Sequence, residues 1–353
     1  MRGSIKHLLL PVGLILLTIA VLLHSDRQQR TAGPQAAAAT PVYPAIAILQ
    51  ITSTSLLDDH VAGVLARLGE LGLVAPADAN IRRYNPQGDY ATAGAMARDI
   101  AAGPADLVIT SSTLALQLFA KANEATRKRH VFGAVTDPLG TGVGITGPAA
   151  DQHPPHMAGI GTFQPVRSAI RLAKTMAPRL QRLGVVWNPA EQCSAACLAQ
   201  ARATCAELGI ALLEVNAGNT SEVPEATRAL LTRQPNALWV GGDTVATAAL
   251  HLILHLASEA GVPVFTNDPA DAARGALFGL GADYVTVGRY TADLAAAILA
   301  GRSPASFATE AVIPEQLRIN PTVLARQQPP WVLPDSQQHP YQLVTDNPTG
   351  QSR

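Results

Sequence analysis

Short, continuous apolar runs alternate with amphipathic stretches along most of the chain, and this alternation predicts repeated β–α units. Between Asp58 and Leu71, for example, the apolar positions 61, 64, 65 and 68 fall on one face of a helix. The strands expected in the first series are AIAILQI (45–51), NIRRYN (80–85), DLVIT (106–110) and HVFGAV (130–135).

A second, similar series follows the Pro- and His-rich stretch at 147–156. Its expected strands are AGIGTF (158–163), LGVVWN (183–188), IALLEVN (210–216), ALWVGG (237–242), VPVFTN (262–267) and ALFGLGA (276–282). Because these runs are apolar without alternation, they favour parallel strands with helices on both faces. The sequence therefore predicts an α/β protein with two similar lobes. From about Gln327 a Pro- and Gln-rich tail is expected to be disordered.

The first residues have the charge order of an export signal: Arg2 and Lys6 precede sixteen uncharged residues, Leu8 to Leu23, and a polar stretch follows. As a helix this run would span about 24 Å, less than the ~30 Å hydrocarbon core of a bilayer, which favours a cleaved signal. The Ala-x-Ala site at 36–39 lies far beyond Leu23, however, which favours a retained anchor. Both alternatives predict a periplasmic or other extracytoplasmic protein, with membrane contact through residues 8–23 only if the segment is uncleaved.

Charge and cysteine content argue against two classes of partner. Lys plus Arg and Asp plus Glu are balanced at 26 each, so the chain has no excess positive charge with which to hold nucleic acid. Cys193, Cys197 and Cys205 share one predicted helix and have no His nearby. Because a zinc site needs four converging ligands, we expect these to be small core residues and predict no metal.

Two local patterns resemble enzyme motifs but lack the residues that the chemistry requires. The glycines of GVGITG (142–147) have the spacing of a dinucleotide-binding loop. Pro148 prevents the helix that should follow, however, and the acidic residue expected about twenty positions on is missing. We expect these glycines instead to form the crossover to the second lobe. His251 and His255 have the spacing of a zinc hydrolase helix, without the Glu that should follow the first His. The sequence predicts no cofactor and favours a binding protein over an enzyme.

Polar side chains follow most of the expected strands, and ligands of parallel sheets bind at the carboxyl ends of strands. These positions are Thr52 to Thr54, Thr110 to Thr113, Thr136 and Asp137 in the first series, and Asn188, Asp243 and Thr244, Asn267 and Asp268, and Asp283 in the second. Each Asp, Ser or Thr among them could equally cap the helix that follows, because capping needs the same side-chain oxygen.

Several runs, in order and in spacing, are similar to one known family. They are YNPQGD (84–89), AVTDPLG (134–140), VVWNPAE (185–191), NTSEV (219–223), GVPVFTND (261–268), GLGADYVTVGRYTADLAAAILAGRSP (279–304) and LRIN (317–320). Over about residues 44 to 325 the chain resembles the ABC transporter substrate-binding protein family that includes tryptophan- and tyrosine-binding members. The resemblance implies a type I periplasmic-binding-protein fold, in which two Rossmann-like lobes close on a small ligand and deliver it to a membrane permease.

The resemblance also implies how the chain is divided. One lobe is expected to comprise 44–158 with 284–302 and the other 159–283 with 303–326, flanked by an N-terminal segment (1–43) and the tail (327–353). The crossovers are expected near Gly159, Asp283 and Ser303.

In the first lobe, the resemblance implies that two short segments contact the ligand. Thr113 matches a pocket Thr that precedes a helix, and its neighbours Ser111 and Ser112 offer further hydroxyl groups. The N-terminus of that helix would attract a carboxylate. Thr136 and Asp137 match a Thr-Asp-Pro loop of the family.

In the second lobe, Asn188 matches an Asn-Pro loop of the family, with Trp187 beside it. Asp243 and Asp268 match acidic positions after two strands, and one of them could bind a ligand ammonium group.

The chain departs from the family at Thr54-Ser55, where a His-Pro pair is common, and at Gly241-Gly242, which replace a bulkier pair. An aromatic amino acid as ligand is therefore implied by kinship alone. The main functional hypothesis is a solute-binding protein of an ABC importer. The alternatives are a membrane-tethered sensor of the same fold that acts on a receptor and, less favoured, a nucleotide-dependent enzyme.

Overall fold

The structure is a computed structural model that describes residues 17–22, 24 and 43–344. Residues 17–22 and 24 are helical, and most of the predicted export segment at 8–23 lies outside the described residues. Within the described ranges no helix is both long and apolar enough to cross a bilayer. Met1–Val42 and Tyr43–Arg353 are separate units, and the second unit contains all elements named below.

Residues 43–344 form thirteen strands and ten α-helices. The strands are β1 Ile46–Gln50, β2 Ile81–Tyr84, β3 Leu107–Ser111, β4 Arg129–Val135, β5 Met157–Gly161, β6 Arg182–Trp187, β7 Ala211–Asn216, β8 Ala237–Val240, β9 Val264–Thr266, β10 Phe278–Ala282, β11 Glu310–Ala311, β12 Glu315–Ile319 and β13 Gln342–Leu343. The helices are α1 Ser55–Glu70, α2 Tyr90–Ala102, α3 Thr113–Ala122, α4 Val166–Met176, α5 Gln192–Glu207, α6 Val223–Thr232, α7 Thr244–Ala248, α8 Leu250–Glu259, α9 Tyr284–Leu299 and α10 Pro321–Ala325.

The first lobe is built on six parallel strands in the order β11-β5-β4-β3-β1-β2. Successive side chains of a strand point to opposite faces of the sheet. Ile46 and Ile48 of β1 accordingly pack with α1 and α9, whereas Ala47 and Leu49 pack with α2 and α3. Helices therefore cover both faces, which explains why the β1 run is apolar throughout.

Two glycines allow α1 and α9 to approach closely on this sheet. A Cβ atom at Gly63 would lie 2.1 Å from the carbonyl oxygen of Val285, and one at Gly288 would lie 2.1 Å from the carbonyl oxygen of His60. Neither position has room for a side chain, so the helix spacing depends on both glycines.

The second lobe is built on seven strands in the order β13-β12-β10-β9-β8-β6-β7, all parallel except for the antiparallel pair β10–β12. One face packs against α4 and α5 and the other against α6 and α8. The α/β fold with two lobes that the sequence predicts is thus confirmed.

Three segments connect the lobes: 162–165 after β5, Asp283 after β10, and 312–314 between β11 and β12. The third segment lies between the other two. The amide of Val312 donates to Gly161 O (2.9 Å), and at the other end the amide of Asp283 donates to Pro314 O (3.0 Å). These hydrogen bonds join the connecting segments into one hinge.

The expected lobe boundaries need two corrections. The boundary at 158/159 falls inside β5, which pairs with β4 of the first sheet from Met157 onwards, so the Gly-rich loop before it stays within the first lobe. The segment from Ser303, assigned to the second lobe, stays in the first lobe and forms β11, which pairs with β5. Both differences arise because strand pairing, which apolar runs do not encode, decides which sheet a short strand joins.

The expectation of a disordered tail is wrong for residues 327–344. Trp331 is only 8 % exposed and packs against the core of the second lobe. The amide of Val332 donates to Met176 O (2.9 Å), and β13 pairs with β12. One buried indole thus anchors a segment whose overall composition is typical of disorder. Residues 345–353 lie outside the described ranges.

Candidate ligand-binding site

The carboxyl ends of the strands in both lobes border a small cavity of about 40 Å³. The first lobe contributes Thr54, Ser112, Thr113 and Thr136, and the second contributes Cys193, Gly242, Asp243 and Thr244. Gln164 and Tyr284, on two of the connecting segments or directly after them, also line it. We refer to this cavity, enclosed by both lobes and the hinge, as the cleft.

The N-terminus of α3 forms the first-lobe wall of the cleft. Ser112 caps the helix, because its Oγ accepts a hydrogen bond from the amide of Ala115 (3.2 Å). Thr113 Oγ1 accepts from the amide of Thr136 (3.3 Å), which ties the loop after β4 to the same helix end. Ser112 has a φ of 118°, a backbone conformation that residues other than glycine rarely adopt and that is often associated with functional sites.

Ser111 does not line the cleft. Its Oγ is hydrogen-bonded to Nδ1 of His60 (2.9 Å), whose Nε2 is hydrogen-bonded to Thr291 Oγ1 of α9 (3.1 Å). All three residues are fully buried, and burial lowers the pKa of His60 to about 3. The neutral imidazole therefore holds the end of β3, directly before the strained Ser112, against α1 and α9.

Asp243 forms the centre of the second-lobe wall and is the N-cap of α7. Its Oδ1 accepts from the amide of Ala246 (2.7 Å), and its Oδ2 accepts from the amide of Asn188 (2.5 Å) and from Ser194 Oγ (2.6 Å). Burial, and then the nearby carboxylate of Glu191, raise the pKa of Asp243 to about 6.

Glu191 stands behind this wall and was not singled out from the sequence. It is 6 % exposed, and it accepts hydrogen bonds from the amide of Thr244 (2.9 Å), the hydroxyl of Thr244 and the side-chain amide of Asn188 (3.3 Å). The one sequence feature that could have identified Glu191 as a site residue is its place at the end of the VVWNPAE run. Since no Lys, Arg or His is among the residues that line the cleft, this wall of the site is acidic.

Asn188 and Trp187 support this wall from behind. The Asn188 side chain makes two hydrogen bonds within the lobe. Its Nδ2 donates to Glu191 Oε1, and its Oδ1 accepts from the amide of Ala190 (3.0 Å). The Trp187 ring packs against the core of the second lobe, with the Arg202 guanidinium 5.6 Å from its ring centroid. Neither residue is among those that line the cleft.

Asp268 and Asp137 are placed where the lobes meet. Asp268 Oδ2 accepts a hydrogen bond from Ser55 Oγ of the first lobe (2.5 Å). A Cβ atom at Gly140 would lie 2.5 Å both from Asp137 Oδ2 and from Nε2 of Gln192 in the second lobe, so Asp137 lies at the rim next to α5. A second contact across the rim runs from the hydroxyl of Tyr90 to Glu191 Oε1 (3.4 Å).

Gln164 and Tyr284 connect the cleft to the hinge and were missed by the sequence reasoning. They are 7 % and 5 % exposed. Burial raises the pKa of the Tyr284 hydroxyl, and the nearby Gln164 side chain lowers it in part. Oε1 of the Gln164 amide is buried and has no hydrogen-bond partner. No sequence signal marks either residue, because their roles follow from where the connecting segments cross.

A larger cavity, of about 480 Å³, lies elsewhere. It is bordered by Trp331, Pro263, Asn236 and Arg179, at the amino ends of the second-lobe strands. It contains none of the polar strand ends, so we do not assign the ligand site to it. Among the described residues no group of three or more His, Cys, Asp or Glu is arranged to hold a metal ion.

Two α/β lobes joined by three segments, with a cleft between their strand ends, define a periplasmic binding protein of type I. The chain belongs to the ABC transporter substrate binding protein family, whose model matches residues 45–329. It is 23% identical over 281 residues to a tyrosine-binding protein of Clostridioides difficile, and the match covers 79% of each chain.

Two solved structures have the same fold. A conserved domain protein from Vibrio cholerae superposes with a TM-score of 0.79 at 26% identity, covering 86% of this chain and 100% of that one. An ABC domain from Streptococcus pneumoniae in complex with L-Trp superposes with a TM-score of 0.76 at 20% identity, covering 85% of this chain and 100% of that one.

Proposed function

We propose that the protein is the extracytoplasmic solute-binding component of an ABC importer and that its lobes close around a small zwitterionic ligand such as an amino acid. One observation carries the proposal: the cleft has a helix N-terminus on one wall and the buried carboxyl group of Asp243, with Glu191 behind it, on the other. The relatives described as tyrosine-binding and as an L-Trp complex support an amino acid as the ligand class.

The first-lobe wall suits the carboxylate of the ligand. The first amide groups of a helix have no acceptor within the helix, and the helix dipole places partial positive charge there. Ser112, Thr113 and Thr136 border this point. An anion bound here requires no basic side chain.

The second-lobe wall suits the ammonium group. Asp243 and Glu191 are buried close enough for the charge of one to raise the pKa of the other, and no basic side chain borders the cleft. A ligand cation would lower the cost of keeping both carboxyl groups ionised.

Binding requires the lobes to separate and close again. The cleft of about 40 Å³ has room for about one water molecule, whose share of liquid volume is ~30 Å³. A solute therefore enters an open form, and contacts with both walls then favour closure. The ligand is held and released without a bond being broken.

A thermal-shift screen of the twenty standard amino acids against a set of neutral sugars tests the ligand class. A ligand at 100 times its dissociation constant stabilises the fold by about 2.7 kcal/mol, which corresponds to a rise in Tm of about 5 °C or more. Thr113→Val and Asp243→Asn should abolish most of this rise, whereas His255→Gln, at an exposed position, should not. Tight binding of a sugar and of no amino acid would contradict the proposed class.

The importer role needs a separate measurement in cells. Deleting the gene should abolish high-affinity uptake of the radiolabelled amino acid that the screen identifies. Uptake should return with the wild-type gene and not with the Thr113→Val gene. Unchanged uptake in the deletion strain would argue for a sensory role instead.

A further inference from the structure

One buried polar atom of a residue that lines the cleft has no hydrogen-bond partner within the protein. Gln164 is 7 % exposed and lines the cleft together with Tyr284. Its Oε1 is inaccessible to solvent and has no partner. Leaving a buried acceptor unpaired is unfavourable, and native structures contain few such groups.

The second lobe approaches Oε1 closely at one residue. Gly242 of the second lobe faces it, and Oε1 lies 3.4 Å from the position that a Cβ atom on Gly242 would occupy. Gly242 also borders the cleft. Any larger residue at 242 would press against Oε1 and against Cys197 Sγ, which lies 2.6 Å from the same position, so the bare glycine backbone is what lets the second lobe approach Gln164 here.

The charge of the site selects the kind of group that would meet this acceptor. Asp243 lies next to Gly242, and Glu191 lies behind it, hydrogen-bonded to Thr244. A ligand group that brought an unpaired oxygen into this corner would be repelled by the carboxylates. A donor, and above all a cationic donor, is favoured by Oε1 and by the carboxylates together.

Resting on the proposed function, we infer that Gln164 is a specificity-determining residue that accepts a hydrogen bond from the ammonium group of the solute. Because Gln164 belongs to the first connecting segment, a ligand held by Oε1 contacts the hinge directly as well as the two walls. The site should therefore discriminate an amino acid from the 2-hydroxy acid that has the same side chain, since the latter lacks the charged donor.

The experiment measures this discrimination by isothermal titration calorimetry at pH 7. The probes are the tightest-binding of the twenty standard amino acids and its 2-hydroxy acid counterpart. Wild-type protein should bind the amino acid at least about 30-fold more tightly. Gln164→Met, which keeps the length of the side chain but removes the acceptor, should weaken amino acid binding by about 10- to 100-fold and change hydroxy acid binding by less than about threefold.

Two further variants separate this role from a structural one. Gln164→Glu keeps an acceptor at the same place and should retain or increase the preference for the amino acid. It gives a result even if Gln164→Met does not fold. Gln181→Met is the matched control, because Gln181 is exposed and lies outside the cleft, and it should bind both probes like the wild type.

The outcomes distinguish this inference from the proposed function. Two results would show that Gln164 does not accept a hydrogen bond from the ammonium group: wild-type affinity and preference in Gln164→Met, or equal binding of both probes by wild-type protein. In either case the proposed function stands. If wild-type protein binds none of the twenty amino acids, both fall.

Discussion

Ser55 Oγ, in the first turn of α1, donates a 2.5 Å hydrogen bond to Asp268 Oδ2 across the boundary between the lobes. The Asp268 carboxylate is fixed independently within its own lobe, because its Oδ1 accepts from the amide of Ala270 (2.9 Å). The donor therefore meets a preoriented acceptor, and the bond requires the two lobes to be close together.

Replacing Ser55 by Ala should weaken ligand binding without affecting either lobe. The closed form loses one hydrogen bond to a charged group, worth about 1 kcal/mol at a partly exposed position, so the dissociation constant should rise about fivefold. Calorimetry with the identified amino acid measures this change. Ser53→Ala is the control, since Ser53 Oγ only accepts from Asn85 within the first lobe (3.1 Å). Equal affinities of the two variants would contradict the interlobe role.

Replacing Gly288 by Ala should be strongly destabilising. Its Cβ would lie 2.1 Å from His60 O, so α1 and α9 must move apart, at a cost of about 3 kcal/mol or more. Gly94→Ala on α2 is a matched control, because its Cβ would meet only the end of the Arg98 side chain at 3.6 Å. This change should stabilise the helix by up to about 1 kcal/mol. Urea unfolding of both variants gives the comparison, and a loss of stability in Gly94→Ala as large as that in Gly288→Ala would refute the packing argument.

The pH dependence of stability should contain a contribution from His60. Its pKa falls from 6.5 to about 3 on folding, so between these values the unfolded chain binds more protons. The stabilising contribution of the neutral imidazole is complete above about pH 6.5 and is lost as the pH falls towards 3, by at most about 1.4 kcal/mol per pH unit. The stability difference between wild type and His60→Gln should therefore shrink from pH 7 to pH 4. A difference that is constant over this range would show that His60 does not titrate as described.

Asp243 should have the opposite effect over nearly the same range. Its pKa rises from 3.8 to about 6 on folding, so the folded protein binds more protons between these values. Its contribution to stability is complete below about pH 3.8 and is lost as the pH rises through 6. Asp243→Asn weakens the cap of α7 at every pH, but its stability relative to wild type should increase from pH 4 to pH 7. Thermal unfolding at several pH values measures this trend, and a decrease would contradict it.

Replacing Trp331 by Ala should destabilise the second lobe by about 3 kcal/mol or more, because a buried indole leaves a large cavity. Val332→Ala is the control: Val332 is 55% exposed, and its loss should be nearly neutral. Differential scanning calorimetry compares the two. Similar Tm values for Trp331→Ala and wild type would mean that the tail does not contribute to the fold.

The apolar runs predicted the lobes because each buried strand needs helices on both faces, as Ile46 and Ala47 on opposite sides of β1 illustrate. They could not predict the hinge. β11 has only two residues, both exposed, and it is recognisable only through its pairing with β5. Trp331 likewise lies in a segment with the composition of a linker, where one well-placed side chain outweighs the average.

Of the predicted ligand residues, the structure brings Ser112, Thr113, Thr136 and Asp243 together around the cleft. Ser111 and Asn188 lie at strand ends as expected, and Trp187 lies beside Asn188, yet the side chains of all three contact other protein groups. Sequence identifies the end of a strand but not the direction of the side chain there. Gln164 could not be found at all, because its significance depends on a missing partner and on the bare backbone of Gly242.

The hydrogen bonds that join the three connecting segments limit how the two lobes can move relative to each other. Since 312–314 is bonded to Gly161 on one side and to Asp283 on the other, the opening motion that we propose is a rotation of the lobes about that edge. On the proposed function, a solute would then enter and leave at the opposite edge, where Tyr90 contacts Glu191. A permease that accepts the solute would, on the same proposal, face that edge.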